Sequence, residues 1–137
     1  MKVIVKFLPL IFIILIALNS VRIYYLSDLD YDGKHFICFI LITIALFFIL
    51  SKNLDNAKIF TLAILTFSTF DLLRYSLTTR KIIFGSSIED FGLSLTIQPR
   101  SLIFLIIFIV LNRDFVAQIF NNLSELIVKY KNQDYKK

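Results

Sequence analysis

Residues 36–50 read FICFILITIALFFIL, fifteen positions interrupted only by Cys38 and Thr43, and this run decides the fold class. Extended to Lys34 and Lys52, it reaches the length of a helix that crosses a bilayer. The same character recurs on both sides. Residues 7–18 read FLPLIFIILIAL and residues 101–111 read SLIFLIIFIVL. The whole chain of 137 residues is 58% hydrophobic and only 18% charged, with a mean hydropathy of +0.79. A soluble domain is about 45–50% apolar, so the excess points to lipid. Four spans of about 20 residues each would absorb nearly all of it.

The expected fold is therefore an all-α integral membrane protein with about four transmembrane helices, near residues 3–23, 35–51, 57–77 and 99–116. A short extramembrane β-hairpin joins spans three and four, and a C-terminal amphipathic helix follows. Residues 1–113 form the helical membrane domain and 114–137 a cytoplasmic helix with a basic tail.

Span one begins almost at Met1, with Pro9 in its first turns, where a missing N–H does least harm. The residues after Leu18, Asn19-Ser20-Val21-Arg22, lack the small-residue pattern of a signal-peptide cleavage site, so the helix reads as retained. Spans two and three are joined by about six residues, which requires an antiparallel helix hairpin. Span four is the shortest, and its alternative is a half-span or a helix buried in a partner. Upstream of it, Phe91, Leu93, Leu95 and Ile97 alternate with Gly92, Ser94, Thr96 and Gln98, the period of a strand. With residues 81–85 they read as a hairpin, 81–85 against 91–97. Gly33, Gly85 and Gly92 fall in loops and alanines are few. The spans are accordingly expected to pack through bulky side chains rather than through a small-residue groove.

Residues 114–131 carry the clearest helical period. Phe115, Val116, Ile119, Phe120, Leu123, Leu126, Ile127 and Tyr130 share an arc of about 140°, with Val128 off the stripe. Its polar face is mixed in charge, so a partner helix and the lipid surface compete for the stripe. The docking candidates are Phe115, Ile119, Phe120, Leu123, Leu126 and Ile127. For four spans, nine Lys and Arg fall on the side of the termini and six on the other, which places both termini in the cytoplasm. The abundance of Ile, Phe, Asn, Lys and Tyr suggests an AT-rich bacterial genome, hence a bacterial inner membrane.

The formal charge of +5 is spread along span flanks rather than on a soluble module, which argues against nucleic acid. One cysteine, Cys38, forbids an internal disulfide. Asp28-Leu29-Asp30-Tyr31-Asp32-Gly33 resembles the opening of an EF-hand calcium loop. Position twelve, where that loop needs Glu, is Phe39, so Asp28, Asp30 and Asp32 are at best weak metal ligands and a solvated turn is the simpler reading. His35 and Cys38 have no second His or Cys to complete a zinc or haem site. Span three carries Thr61, Ser68, Asp71 and Arg74, an intramembrane polar face that should point at protein, with Arg74 paired to Asp71 at i+3.

No nucleophile motif, phosphate loop or metalloprotease signature occurs. The expectation is a non-catalytic, cofactor-free membrane protein that acts by protein–protein contact, as an accessory subunit of a membrane complex or an immunity-type protein. Its partners would be the bilayer and a membrane protein or a second copy. The competing readings are a holin-like permeabilising protein and a small ion or proton carrier using Asp71.

Overall fold

The computed structural model describes residues 3–26, 32–77, 82–84 and 95–134, which are helical apart from one pair of short strands. The order is α1 (Val3–Lys6), α2 (Leu8–Leu26), α3 (Gly33–Leu50), α4 (Leu54–Thr69), β1 (Ile82–Phe84), β2 (Leu95–Ile97), α5 (Pro99–Leu111) and α6 (Arg113–Asp134). Helix α4 lies between α3 and α5, and α2 packs on α5 and α3. The all-α expectation therefore holds in outline, but the expected four full-length spans do not. Among the described residues only Gly33–Leu50 has the length and apolarity to cross a membrane alone, and α5 with α6 does so only as a pair bent by 90°.

The shortening has local causes. Expected as one helix over 3–23, the first segment breaks at Phe7, because Pro9 has no N–H to continue the ladder and disfavours helical backbone just before it. Expected over 57–77, the third ends at Thr69. Its last carbonyls are closed by Asp71 N–H to Ser68 O at 3.2 Å and Leu72 N–H to Phe67 O at 2.9 Å, with Asp71 at φ 57°. This is a Schellman cap, and Asp is one of the few residues besides glycine that tolerates its left-handed position. Helix α3 ends in the same way: Lys52 at φ 59° sends N–H to Ile49 O and Asn53 N–H to Phe48 O, turning the chain into α4 within three residues. The fourth segment, expected over 99–116, stops at Leu111, and the chain turns at Asn112 into α6.

The strands pair antiparallel, Ile82 with Ile97, Ile83 with Thr96 and Phe84 with Leu95. They fall inside the expected hairpin, whose positions 81, 85 and 91–94 lie outside the described residues. So do Asp28 and Asp30, and residues 135–137 of the basic tail.

The interior departs in part from the expectation about packing. Each helix buries a narrow seam spaced by three and four residues: Leu10, Ile13, Ala17 and Ser20 on α2, His35, Cys38, Ile42 and Ala45 on α3, and Ala57, Thr61, Ile64, Leu65 and Ser68 on α4. Small side chains dominate the α3–α4 seam, so these two backbones pack through alanine, serine, threonine and cysteine after all. Phe36, Ile40, Phe47 and Leu50 on α3 and Ile103, Ile106 and Val110 on α5 face outward, while Leu10, Ile13, Ile64, Leu65 and Phe108 fill the interior. Ala45 and Ala57 are wholly buried. Enlarging either to Leu is expected to lower stability by about 1–3 kcal/mol, whereas Phe47→Leu on the outer face should change it by less than about 0.5 kcal/mol. Thermal unfolding in detergent micelles distinguishes the two; equal effects would contradict this assignment of inside and outside.

Candidate functional site

The chemistry-bearing side chains gather at one end of the bundle, where α2 ends, α3 begins, α4 ends and α5 begins. The acidic group at its centre, Asp71, is 7% exposed. Its Oδ1 accepts from Arg74 Nε at 2.9 Å and Gln98 Nε2 at 2.6 Å, and its Oδ2 accepts from Arg74 Nη2 at 3.0 Å. Lys34 Nζ donates to the Asp71 carbonyl at 2.6 Å and sits 3.5 Å from Oδ2. The i+3 spacing thus yields a two-pronged arginine–carboxylate pair, the strong form of this contact.

Arg74 reaches on to the start of α3, where Nη1 meets Asp32 Oδ2 at 2.6 Å. Asp32 is the N-cap of that helix: Oδ1 accepts the His35 N–H at 3.1 Å, satisfying one of the helix's open donors. The buried His35 ring sets Nδ1 2.7 Å from Asp32 Oδ1 and Nε2 3.2 Å from the Ser76 carbonyl. Nδ1 also lies 3.3 Å from the Asp32 N–H, and the shorter contact, with Nδ1 donating, is the stronger one. Partial burial pushes the Asp32 carboxyl up. The hydrogen bonds from His35 and the charges of His35 and Arg74 outweigh it and hold the group below the ordinary carboxylate value.

The network continues into α5. Gln98 Oε1 accepts from Ser101 Oγ at 3.2 Å, and Ser101 Oγ lies 3.1 Å from the Tyr75 hydroxyl. The Gln98 N–H bonds Thr69 O at 2.9 Å, tying the start of α5 to the end of α4. Ser20 of α2 joins through Oγ, which accepts the Leu77 N–H at 3.3 Å while its own proton goes to Ile16 O at 3.0 Å. Two carboxylates face Lys34, Arg74 and the His35 ring. The plate is densely hydrogen-bonded and joins the ends of α3, α4 and α5.

The structure divides the polar residues expected on one face of span three. Thr61 and Ser68 lie inside the α3–α4 seam, with Thr61 Oγ1 donating to Ala57 O at 2.8 Å and the Ser68 hydroxyl buried without a hydrogen-bond partner among the described residues. Asp71 and Arg74 stand beyond the end of α4. Asp32, the described member of the acidic triplet, is a helix cap and ion-pair partner. Among the described residues no group of His, Cys, Asp and Glu could hold a metal ion. Lys34, His35, Tyr75 and Gln98 are not legible as parts of the plate, because apart from the local Asp32–His35 and Gln98–Ser101 pairs their partners lie 25 to 41 residues away.

At the opposite end, the expected docking stripe begins against the bundle and runs off it. Val116 is buried, Phe115 and Ile119 are half-buried, and Lys58 Nζ stands 5.0 Å over the Phe115 ring. Farther on, Phe120, Leu123, Leu126 and Ile127 are exposed. Comparison of the chain with protein-family models, curated proteins and solved structures finds no match.

Asp71→Asn is expected to lower stability by about 2–3 kcal/mol, less than the roughly 3–5 of a fully buried pair because Arg74 keeps contact with solvent. The pH dependence follows from Asp32. Its carboxyl holds protons less readily folded than unfolded, so its stabilising contribution is complete above the ordinary carboxylate value and is lost as pH falls through the folded-state value. Asp32→Asn should therefore flatten the acid limb below about pH 4. Thermal unfolding of the variants from pH 3 to 8 checks both; an Asp71→Asn protein as stable as the wild type would contradict the plate's role.

Proposed function

We propose that the chain is an integral membrane protein, with its helical bundle solvated by acyl chains, that works without catalysis by binding another membrane protein or a second copy of itself. The observation that carries this reading is α3. Only His35, Cys38, Ile42 and Ala45 of its eighteen residues are buried, although the helix is apolar throughout. A core helix of a water-soluble domain buries its apolar residues, and an exposed surface of this size marks contact with lipid or protein.

The shorter helices fit the same environment. At 1.5 Å per residue, α4 and α5 are about 24 and 20 Å long, short of a hydrocarbon core of about 30 Å. Non-helical backbone at membrane depth is tolerated where protein surrounds it. Residues 71, 73, 75, 76 and 98 are buried in that way, so the polar plate extends the bundle beyond the helix ends. The end that carries Lys6, Lys52, Lys58 and Arg113 faces the cytoplasm in this reading, in the orientation expected from the charge count of a bacterial inner-membrane protein.

The right-angle turn between α5 and α6 favours lipid as the occupant of the α6 stripe. With α5 along the membrane normal, α6 lies in the plane of the interface. The stripe starts with Phe115 and Val116 against the bundle, so Phe120, Leu123, Leu126 and Ile127 face the same, acyl side. Partner contact then falls to the outer flanks of the bundle. The saturated surroundings of Asp71 favour a structural carboxylate over an ion or proton carrier. On gentle detergent extraction the chain is expected to migrate in a stoichiometric complex, with one membrane protein or with itself, and its induction should leave a membrane-potential dye unmoved. Rapid depolarisation would favour a pore, and a lone monomer throughout would contradict the binding role.

A further inference from the structure

The corner between α5 and α6 is built from groups that the bundle itself does not require. Asn112, 3% exposed, ties the corner to the amino-terminal helix: its Nδ2 donates to Lys6 O at 2.9 Å and to Phe108 O at 3.1 Å. Its Oδ1 is buried and meets no donor. On one side of the corner, a groove of about 600 Å³ is lined by Lys6, Arg113 and Asp114 together with Ile109, Val110 and Leu111. On the other, a cavity of about 210 Å³ reaches between α4 and α6, with Asn112, Asp55 and Lys58 on its wall. Lys6 and Asp114 line both.

These walls select a ligand by sign and by shape. Ile109 and Val110 are exposed and continue the apolar flank of α5, so one side of the groove suits an acyl chain. Lys6 and Arg113 suit a phosphate. Among the described residues Arg113 pairs with Asp114 at 3.5 Å, both side chains almost fully exposed, a contact that a ligand displaces at little expense. Asp114 repels a headgroup that is only anionic. Asp114 and the unanswered Asn112 Oδ1 both call for an N–H donor, which a quaternary ammonium does not have.

We propose that this corner binds a phospholipid whose headgroup joins a phosphodiester to a primary ammonium, the phosphate on Lys6 and Arg113 and the ammonium toward Asp114 and Asn112. The assignment rests on the membrane reading above and names the lipid chemistry that the surface selects. Lys58 stays with Asp55, 2.6 Å away, as part of the wall.

The test is native mass spectrometry of the full chain released from micelles doped with phosphatidylethanolamine, phosphatidylglycerol or phosphatidylcholine, with free phosphoethanolamine as a fourth arm. The expected result is retention of phosphatidylethanolamine about tenfold above the other two lipids, a difference of about 1.4 kcal/mol. Lys6→Gln should lower retention of all phosphate-bearing lipids. Asp114→Asn, at an exposed position that leaves the fold intact, should erase the preference for phosphatidylethanolamine over phosphatidylglycerol. Equal retention of the three lipids, or an Asp114→Asn protein with unchanged preference, overturns the proposal. Binding of free phosphoethanolamine as strong as that of the lipid overturns the lipid source. A chain that needs detergent but shows no headgroup preference sinks this site alone, whereas a chain monomeric in plain buffer sinks the membrane reading with it.

Discussion

The carboxylate of Asp71 holds the described architecture together. It closes α4 as the left-handed residue of a Schellman cap, and it gathers Arg74 from its own loop, Lys34 from the start of α3 and Gln98 from the start of α5. Three helix ends converge on one group. Desolvating such a pair offsets much of its Coulomb gain. Its contribution is therefore better understood as fixing which ends meet than as a large net stabilisation. Arg74 extends the selection by one step, because its second nitrogen reaches Asp32, which also caps α3. The cap, the ion pair and the loop are set by the same few atoms, so a change at one is felt at all three.

Around this plate, the distribution of side-chain size bears on the proposed lipid surroundings of the bundle. Helices in water gain by burying their largest apolar residues. Helices among acyl chains gain little from that and instead pack where small residues let backbones approach. The α3–α4 seam sets Cys38, Ala45, Ala57, Thr61 and Ser68 beside Ile42, Ile64 and Leu65, and in the proposed lipid setting the small side chains let the two backbones approach. The hydroxyls of Ser20 and Thr61 both return to backbone carbonyls of their own helices, Ile16 O and Ala57 O.

Much of this was legible in the sequence. The apolar run at 36–50 located α3 within three residues at its start and none at its end. The alternation around residues 91–97 placed the second strand, and the stripe from Phe115 to Ile127 placed α6. The helix ends were not legible. No glycine or proline marks the end of α4, and an aspartate in the left-handed position looks, in a string of residues, like an aspartate within a helix. The Asn112-Arg113-Asp114 triplet interrupts the apolar run, but nothing in it marks a right-angle turn. The break at Phe7 has a visible cause in Pro9, whose effect extended further back than a tolerated first-turn proline implies. Small-residue packing was missed because only glycine and alanine were counted, while serine, threonine and cysteine share the role. The plate was invisible for a plainer reason: Asp32, Arg74 and Gln98 come together only once three helices have folded.

The claim on which all of this turns is that the outward apolar faces are covered by lipid. Alkaline extraction of membranes from cells that make the full chain tests it most directly. The account predicts that the protein stays in the membrane pellet and is released only by detergent. Its appearance in the supernatant as a soluble monomer would show that Phe36, Phe47, Leu50 and Val110 are at ease in water, which contradicts it.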